Sequence, residues 1–245
     1  MGQVPSIKYG IVGDGRMARH MKHYLELLGA PVRQWSRKIS TECGSKAEDR
    51  LGDCDVILIL ISDGAIDSFV ENHHFLKSKK VLHFSGSLIS PNCSGFHPLM
   101  TFGPELYDLT SYQNIAFICE TPGPVFSDIF PILSNPNYSI HRDLKPFYHS
   151  LCVLAGNFTV MLWQKLFSEL PATLEIPASA GLPYLHRVVE NLKANPQAAL
   201  TGPIQRGDVK TISANLKSLE GDPFQKVYQA FVQAAAESAK KGVKQ

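Results

Sequence analysis

Two short segments hold residues able to exchange a proton with a bound ligand. His83-Phe84-Ser85-Gly86-Ser87 offers an imidazole, a hydroxyl and a glycine at which a ligand can approach the backbone closely. Gly95-Phe96-His97-Pro98-Leu99-Met100-Thr101-Phe102 carries a second imidazole, held in extended backbone by the proline after it. Histidine suits proton exchange with a reacting oxygen near neutral pH. His97 is therefore the first candidate for a catalytic acid or base, with the Ser85 hydroxyl as a second candidate. His83, inside an apolar run, reads as a hydrogen-bonded core histidine. Further along, Tyr148-His149 and Gly156-Asn157 share one apolar helical stretch. On a regular helix His149 and Asn157 lie about 12 Å apart along the axis and roughly 80° around it, so they could line one groove without holding a single atom together. Asn157 among apolar neighbours needs a hydrogen-bond partner, from a ligand or from another helix. Thr201-Gly202-Pro203-Ile204-Gln205-Arg206-Gly207-Asp208 reads as a loop over a cleft, with Arg206 available to an anion, or as an interhelix connection capped by Asp208.

These groups need a scaffold, and its clearest mark is near the start of the chain. An apolar run, Ile7 to Val12, meets Gly13-Asp14-Gly15-Arg16-Met17-Ala18, after which helix-forming residues continue to Leu28. Strand, glycine turn and helix in this order form the dinucleotide-binding fingerprint. The first glycine makes the turn, the second admits a pyrophosphate, and the helix N-terminus faces it. Gly13, Gly15, Arg16 and Met17 are accordingly assigned to cofactor binding. The second strand, Val32 to Trp35, runs into Ser36-Arg37-Lys38, with no acid before Glu42. An acid there would bond the ribose hydroxyls of NAD, whereas a hydroxyl and two cations suit a 2′-phosphate. NADP is the expected cofactor; a solvated basic turn would look the same, and FAD would want a longer chain and an acidic ribose ligand. Ser62, opening the helix after the third strand, joins Ser36, Arg37, Lys38, Ser85 and Gly86 as an expected cofactor contact.

Taken in order, the chain reads as alternating strands and helices up to about residue 143. The run Asp55 to Ile61 has the continuous apolar character of a parallel strand buried on both faces. A polar, turn-rich stretch from Ser36 to Asp53 precedes it. Lys80 to Phe84, Gly95 to Leu99 and Asn114 to Cys119 supply further strands, with a last β-α-β piece from Val125 to Ile140. After Pro146 no strand pattern remains. Helices are predicted over Phe147–Leu170, Pro177–Ala194, Asp208–Leu219 and Pro223–Lys240, with Asp208 and Asp222 as N-caps. The expected fold is α/β: a Rossmann parallel sheet over 1–143, followed by an all-helical domain over 144–245.

Composition narrows the classes further. The net charge is +2 and no dense Lys/Arg block occurs, so nucleic acid is not the expected partner. The longest aliphatic run, Val56 to Ile61, is too short to cross a bilayer, and the N-terminus does not read as a signal peptide. Five scattered cysteines without Cys-x-x-Cys spacing suggest reduced thiols in a cytoplasmic protein and no metal site. His141-Arg142-Asp143-Leu144-Lys145-Pro146 spells the start of a kinase catalytic loop. Tyr148 stands where the magnesium-binding Asn should be and no Asp-Phe-Gly follows, so that reading fails.

The segments Gly13–Ala18, His83–Gly86, Phe96–Phe102, Tyr148-His149 with Asn157, and Thr201–Asp208 together resemble bacterial Rossmann-like proteins whose C-terminal half is the domain of unknown function 2520. The resemblance implies a Rossmann domain followed by a helical dimerisation domain similar to that of 6-phosphogluconate dehydrogenase, in NADP-dependent oxidoreductases of unspecified substrate. The serine loop followed by His97-Pro98 also looks like prephenate dehydrogenase, whose His-Pro histidine contacts the reacting hydroxyl. β-Hydroxyacid dehydrogenases carry a catalytic Lys four residues before an Asn. Here that position is Val153, which leaves His97 or His149 as the proton-transfer group. The reading is an NADP(H)-dependent oxidoreductase for a small anionic hydroxy or carbonyl compound, active as a homodimer through its helical domain. Its rival is a catalytically inactive NADP(H)-binding sensor or scaffold.

Overall fold

The computed structural model describes residues 7–242. Its organising element is a seven-stranded sheet: β1 (Tyr9–Val12), β2 (Val32–Trp35), β3 (Val56–Ile59), β4 (Lys80–His83), β5 (Ser94–Pro98), β6 (Phe117–Thr121) and β7 (Asn137–His141), in the order β2-β1-β3-β4-β5-β6-β7. The first five strands are parallel. Alternation along β3 shows why its sequence is apolar throughout. Val56 and Leu58 point into one core with Tyr9, Ile11, Met21, Tyr24, Phe96 and Phe117, while Ile57 and Ile59 point into the other with Val12, Leu51, Ile66 and Leu76. Burial of each such aliphatic side chain stabilises the fold by about 1.5–3 kcal/mol.

The turn after β1 is built as its sequence implies. Gly13 has φ of 121°, and a Cβ placed on it would lie 2.3 Å from the Leu60 carbonyl oxygen, so only glycine fits where β1 passes the end of β3. Its N–H donates to the Trp35 carbonyl, and α1 (Arg16–Leu27) starts at once. The buried face of α1 carries Ala18, His20, Met21, Tyr24 and Leu25 at helical spacing.

Two expectations need correction. The stretch from Ser36 to Asp53 is not simply turn-rich. It holds α2 (Arg37–Cys43), capped by the Ser36 side chain and closed by Gly44 in the left-handed region, and α3 (Ala47–Leu51). Capping supplied what apolar periodicity lacked there. Nor is the sheet parallel throughout: β6 runs antiparallel to β5, and β7 is parallel to β6. The chain leaving β5 stays at its carboxyl end, where His20 bonds the Gly103 carbonyl and the Tyr112 hydroxyl, and only the short α5 (Leu109–Gln113) intervenes before β6. A parallel return would need a crossover to the far edge. The helices α4 (Asp63–Asn72) and α6 (Phe126–Ile129) complete the α/β part.

After β7 the chain is helical. A 3₁₀ turn (Arg142–Leu144) leads into α7 (Lys145–Cys152), a π-helical segment (Val153–Phe158) and α8 (Thr159–Thr173). Then come α9 (Leu182–Ala194), α10 (Gly202–Arg206), α11 (Val209–Ser218) and α12 (Phe224–Gly242). Asp208 caps α11 by accepting from Thr211 N–H, and Asp222 accepts from Phe224 N–H. The segment read as a loop at Thr201–Asp208 contains the one-turn α10, closed by Gly207 at φ 65°. The described residues form two compact units, divided between Val160 and Met161. The sheet ends at His141, whereas the division between the units falls after Val160 and not at the expected 143, so that α7, ion-paired to β6 through Lys145, and the π-helical segment lie in the first unit.

Gly13→Ala is expected to lower the unfolding free energy by more than about 2 kcal/mol, since it combines a disfavoured φ with a backbone clash. Urea unfolding checks this; an unchanged midpoint would contradict the assigned turn.

Candidate functional site

The chemistry-bearing residues of the first unit gather at the carboxyl ends of β3, β4 and β5. The N-terminus of α1 opens there, with Gly15 as an extended N-cap and no side chain capping the free helix amides. Nothing lies within 4 Å of the place a Gly15 side chain would take. Unfilled helix amides over an open glycine suit a pyrophosphate. Arg37 and Lys38 are exposed on the first turn of α2. Ser36 is buried and its hydroxyl accepts from Ile39 N–H, so its first role is as a cap. Arg16 is exposed and its guanidinium donates to the Phe102 carbonyl at 3.3 Å; Met17 is half-buried beside the core. Ser62 is exposed at the N-cap of α4, with no capping bond from its side chain.

Ser85, buried at the end of β4, donates its hydroxyl to Asp63 at 2.5 Å. The same oxygen accepts from Ser87 and Leu88 N–H, and Ser85 N–H donates to His83 Nδ1. This folds the serine loop back so that Gly86 faces His97 and His149. A Cβ on Gly86 would fall 2.4 Å from His149 Cδ2 and 3.1 Å from His97 Nε2, so glycine is required by close approach. The His97 and His149 rings stand edge to face at 5.9 Å. On the other side of its ring, His97 Nδ1 shares a 2.7 Å hydrogen bond with the Tyr148 hydroxyl. Ser85, Gly86, His97 and His149, named separately from the sequence, thus form one cluster.

Asn157 does not complete a buried hydrogen-bond network: it is exposed, against the expectation that it must find a partner. Its placement still differs from that of a regular helix. The π-helical turn at Val153–Phe158 adds a residue to the stretch, which moves Asn157 back by roughly 100° and onto the His149 side of the helix. Arg206 is exposed at the end of α10, in the second unit.

Beneath His97 lies a charged cluster that the sequence reading passed over. Glu120 of β6 is 1 % exposed and accepts from Lys145 Nζ and from Arg142 Nη2, each at 2.8 Å. Arg142 also donates to the Ser90 carbonyl. The only signals were an isolated acid at the end of an apolar strand and two cations inside the discarded kinase-like hexapeptide. Asp63 was missed as the neighbour of Ser62, and Tyr148, named only beside His149, gave no sign of its bond to the distant His97.

Electrostatics follow from this burial. Burial pushes the Glu120 carboxyl up, but the hydrogen bonds from Lys145 and Arg142 outweigh it and leave the group below its ordinary value. Desolvation, with the charges of His149 and Lys145, brings His97 down to about 4. His83 also falls to about 4, through desolvation and then the Lys145 charge. Burial and the neighbouring Cys152 push the Tyr148 hydroxyl up, so it keeps its proton. At neutral pH His97 is therefore an uncharged imidazole, fixed through Nδ1, that presents Nε2 at Gly86. In one tautomer Nε2 donates to a carbonyl oxygen; in the other it accepts the proton of a hydroxyl.

Residues 120–235 match the family described as domain of unknown function 2520, the one its motifs resemble. No curated protein matches the chain by sequence. Among solved structures, a Bacteroides fragilis protein provisionally described as an NADP oxidoreductase superposes with a TM-score of 0.72 at 21% identity, covering 95% of this chain and 98% of the other. An imine reductase from Myxococcus stipitatus, solved with NADP+, gives a TM-score of 0.62 at 14% identity and covers 96% and 95% of the two chains. Plasmodium falciparum pyrroline carboxylate reductase, with NADP bound, gives 0.56 at 15% identity over 96% and 97%. The fold is the Rossmann sheet with a helical C-terminal region that these oxidoreductases share.

The depressed His83 has a consequence for stability. Between its ordinary value of 6.5 and the folded value of about 4, the unfolded chain binds a proton that the folded chain does not. Stability therefore falls as pH drops through that window, by about 3 kcal/mol for this fully buried ring, with His97 acting in the same direction. Urea midpoints at pH 7, 5.5 and 4.5 are expected to show the decline, and His83→Gln to flatten it. A profile unchanged by that substitution would show that His83 titrates normally.

Proposed function

We propose that the protein is an NADP(H)-dependent oxidoreductase acting on a small anionic hydroxy or carbonyl compound. The single observation that carries this reading is the neutral His97, held by Tyr148 and facing the serine loop, on the same sheet edge as an uncapped dinucleotide-type helix N-terminus. When bound, the nicotinamide supplies or accepts the hydride. The chain's own part is to hold the pyrophosphate at Gly13, Gly15 and the first amides of α1, with Arg16, Met17 and Ser62 around it. Arg37 and Lys38 offer charge for a 2′-phosphate, supported by the cap at Ser36. Ser85 and Gly86 border the reacting region, and His97 exchanges a proton with the substrate oxygen. His149 and Asn157 line the same side of their helix.

The helical part is proposed to pair with a second copy. The stretch Arg142–Thr173 is long and apolar enough to cross a membrane by length and composition. Yet the exposed Phe147, Leu151 and Leu154, spaced by four and three residues, share one helical stripe, which suits burial against another helix. Such a homodimer fits a cytoplasmic enzyme whose five cysteines are all free.

NADPH fluorescence titration is expected to show binding tighter than that of NADH. The double substitution Arg37→Ala/Lys38→Ala should remove that preference, weakening NADPH by roughly 10- to 100-fold, about the worth of two charge-assisted contacts, and leaving NADH unchanged. Absence of binding by either nucleotide would end the proposal. In a screen of hydroxy and keto acids followed at the NADPH absorbance, His97→Ala is expected to reduce turnover by roughly 100-fold or more. Nucleotide binding without turnover of any substrate would favour the sensor reading.

A further inference from the structure

The row of side chains beneath the proposed centre has an unusual gap. His83 of β4 pairs in register with Gly95 of β5, and the antiparallel register of β5 on β6 places Gly95 beside Glu120. Gly95 thus stands between a histidine and a glutamate on one face of the sheet, the face that His97 shares two residues on. The space its missing side chain leaves is filled from above. A Cβ on Gly95 would lie 2.1 Å from Lys145 Nζ, 2.9 Å from Glu120 Oε2 and 3.0 Å from His83 Cε1. Lys145, itself 3 % exposed, therefore enters the sheet row where Gly95 has no side chain and is held there by Glu120.

We propose that Lys145 is a positioning residue for the His97 centre: seated over Gly95 and clamped by Glu120, it fixes the register of α7 on the sheet. Tyr148 and His149 follow it by three and four residues on that helix, the offsets that share its face. The ammonium sets where the Tyr148 hydroxyl meets Nδ1 of His97 and where the His149 ring meets Gly86. A buried ion pair is a poor source of stability, because an apolar pair of similar volume commonly serves as well or better. What this pair supplies is a single geometry: apolar packing tolerates sliding of a helix, whereas a 2.8 Å ammonium–carboxylate contact does not. The inference deepens the reading of His97 as the working centre and takes its importance from it, but its test needs no turnover.

Nitrogen-15 NMR of the histidine rings, with His97 assigned by the signal lost in His97→Gln, reports tautomer and hydrogen bonding directly. The groups facing this ring are Lys145, Tyr148 and His149 of α7, His83 of β4 and Asp63 of α4, so spectra are taken at pH 7, where His97 is uncharged. In the native protein His97 is expected in one fixed tautomer, with a bonded Nδ1. In Gly95→Ala, which adds one methyl group and changes no charge, and in Lys145→Met, the two ring nitrogens are expected to move to exchange-averaged shifts while circular dichroism stays native. His97 signals unchanged in both folded variants would overturn the proposal. Should either variant fail to fold, Lys145→Met/Glu120→Met leaves no lone buried carboxylate. Averaging of the His97 signals in that folded protein supports the proposal, and native signals overturn it.

Discussion

The Glu120 carboxylate is the point on which the structure's two halves of chemistry meet. It is buried, charged and satisfied by Lys145 and Arg142, and it joins the reversed outer part of the sheet to the first helix after it. Taking those charges out of water costs several kcal/mol per ion before their attraction returns any of it. A chain that needed only stability would place aliphatic side chains there, as it does at Ile57 and Leu58. The pair instead ties α7 to one register, and from that register come the Tyr148 contact to His97 and the packing of His149 on Gly86. Burial, reinforced by the positive charge beside the centre, keeps both imidazoles neutral, a state suited to hydrogen bonding an oxygen and to receiving its proton.

The site is therefore assembled from the matched domain and from the sheet before it. Glu120, Arg142, Lys145, Tyr148, His149 and Asn157 lie within residues 120–235, whereas Ser85, Gly86, Gly95 and His97 precede them. Neither portion alone presents a fixed histidine. Structures that share this fold span reductases of imines and of pyrroline carboxylate, so the fold leaves the substrate open.

What the amino-acid sequence disclosed, it disclosed through local physics. The glycine turn was legible because φ at Gly13 and the start of α1 depend on neighbouring residues. His97-Pro98 was legible because a histidine held extended at a strand end has few structural duties. The basic turn at Arg37-Lys38 stood out because the acid that would select NAD is missing there. The helices within Ser36–Asp53 were hidden because side-chain capping, not an apolar stripe, forms them. The direction of β6 depends on where the Phe102–Tyr107 loop packs against His20, a contact more than eighty residues away in sequence. The π turn and the seating of Lys145 over Gly95 are likewise long-range facts. An acid in an apolar strand and two cations in a short motif announce a pair only once the fold brings them together.

In the proposed reading, the carboxyl edge of the parallel strands holds a phosphorylated dinucleotide beside His97. Amide hydrogen exchange with and without NADP+ tests it most directly, because it maps the footprint without requiring a substrate. Slowed exchange is expected at Gly13–Ala18, at Arg37 and Lys38, and at Ser85–Ser87, with the amino ends of the strands unchanged. Protection confined to other segments, or none at saturating nucleotide, would contradict the claim.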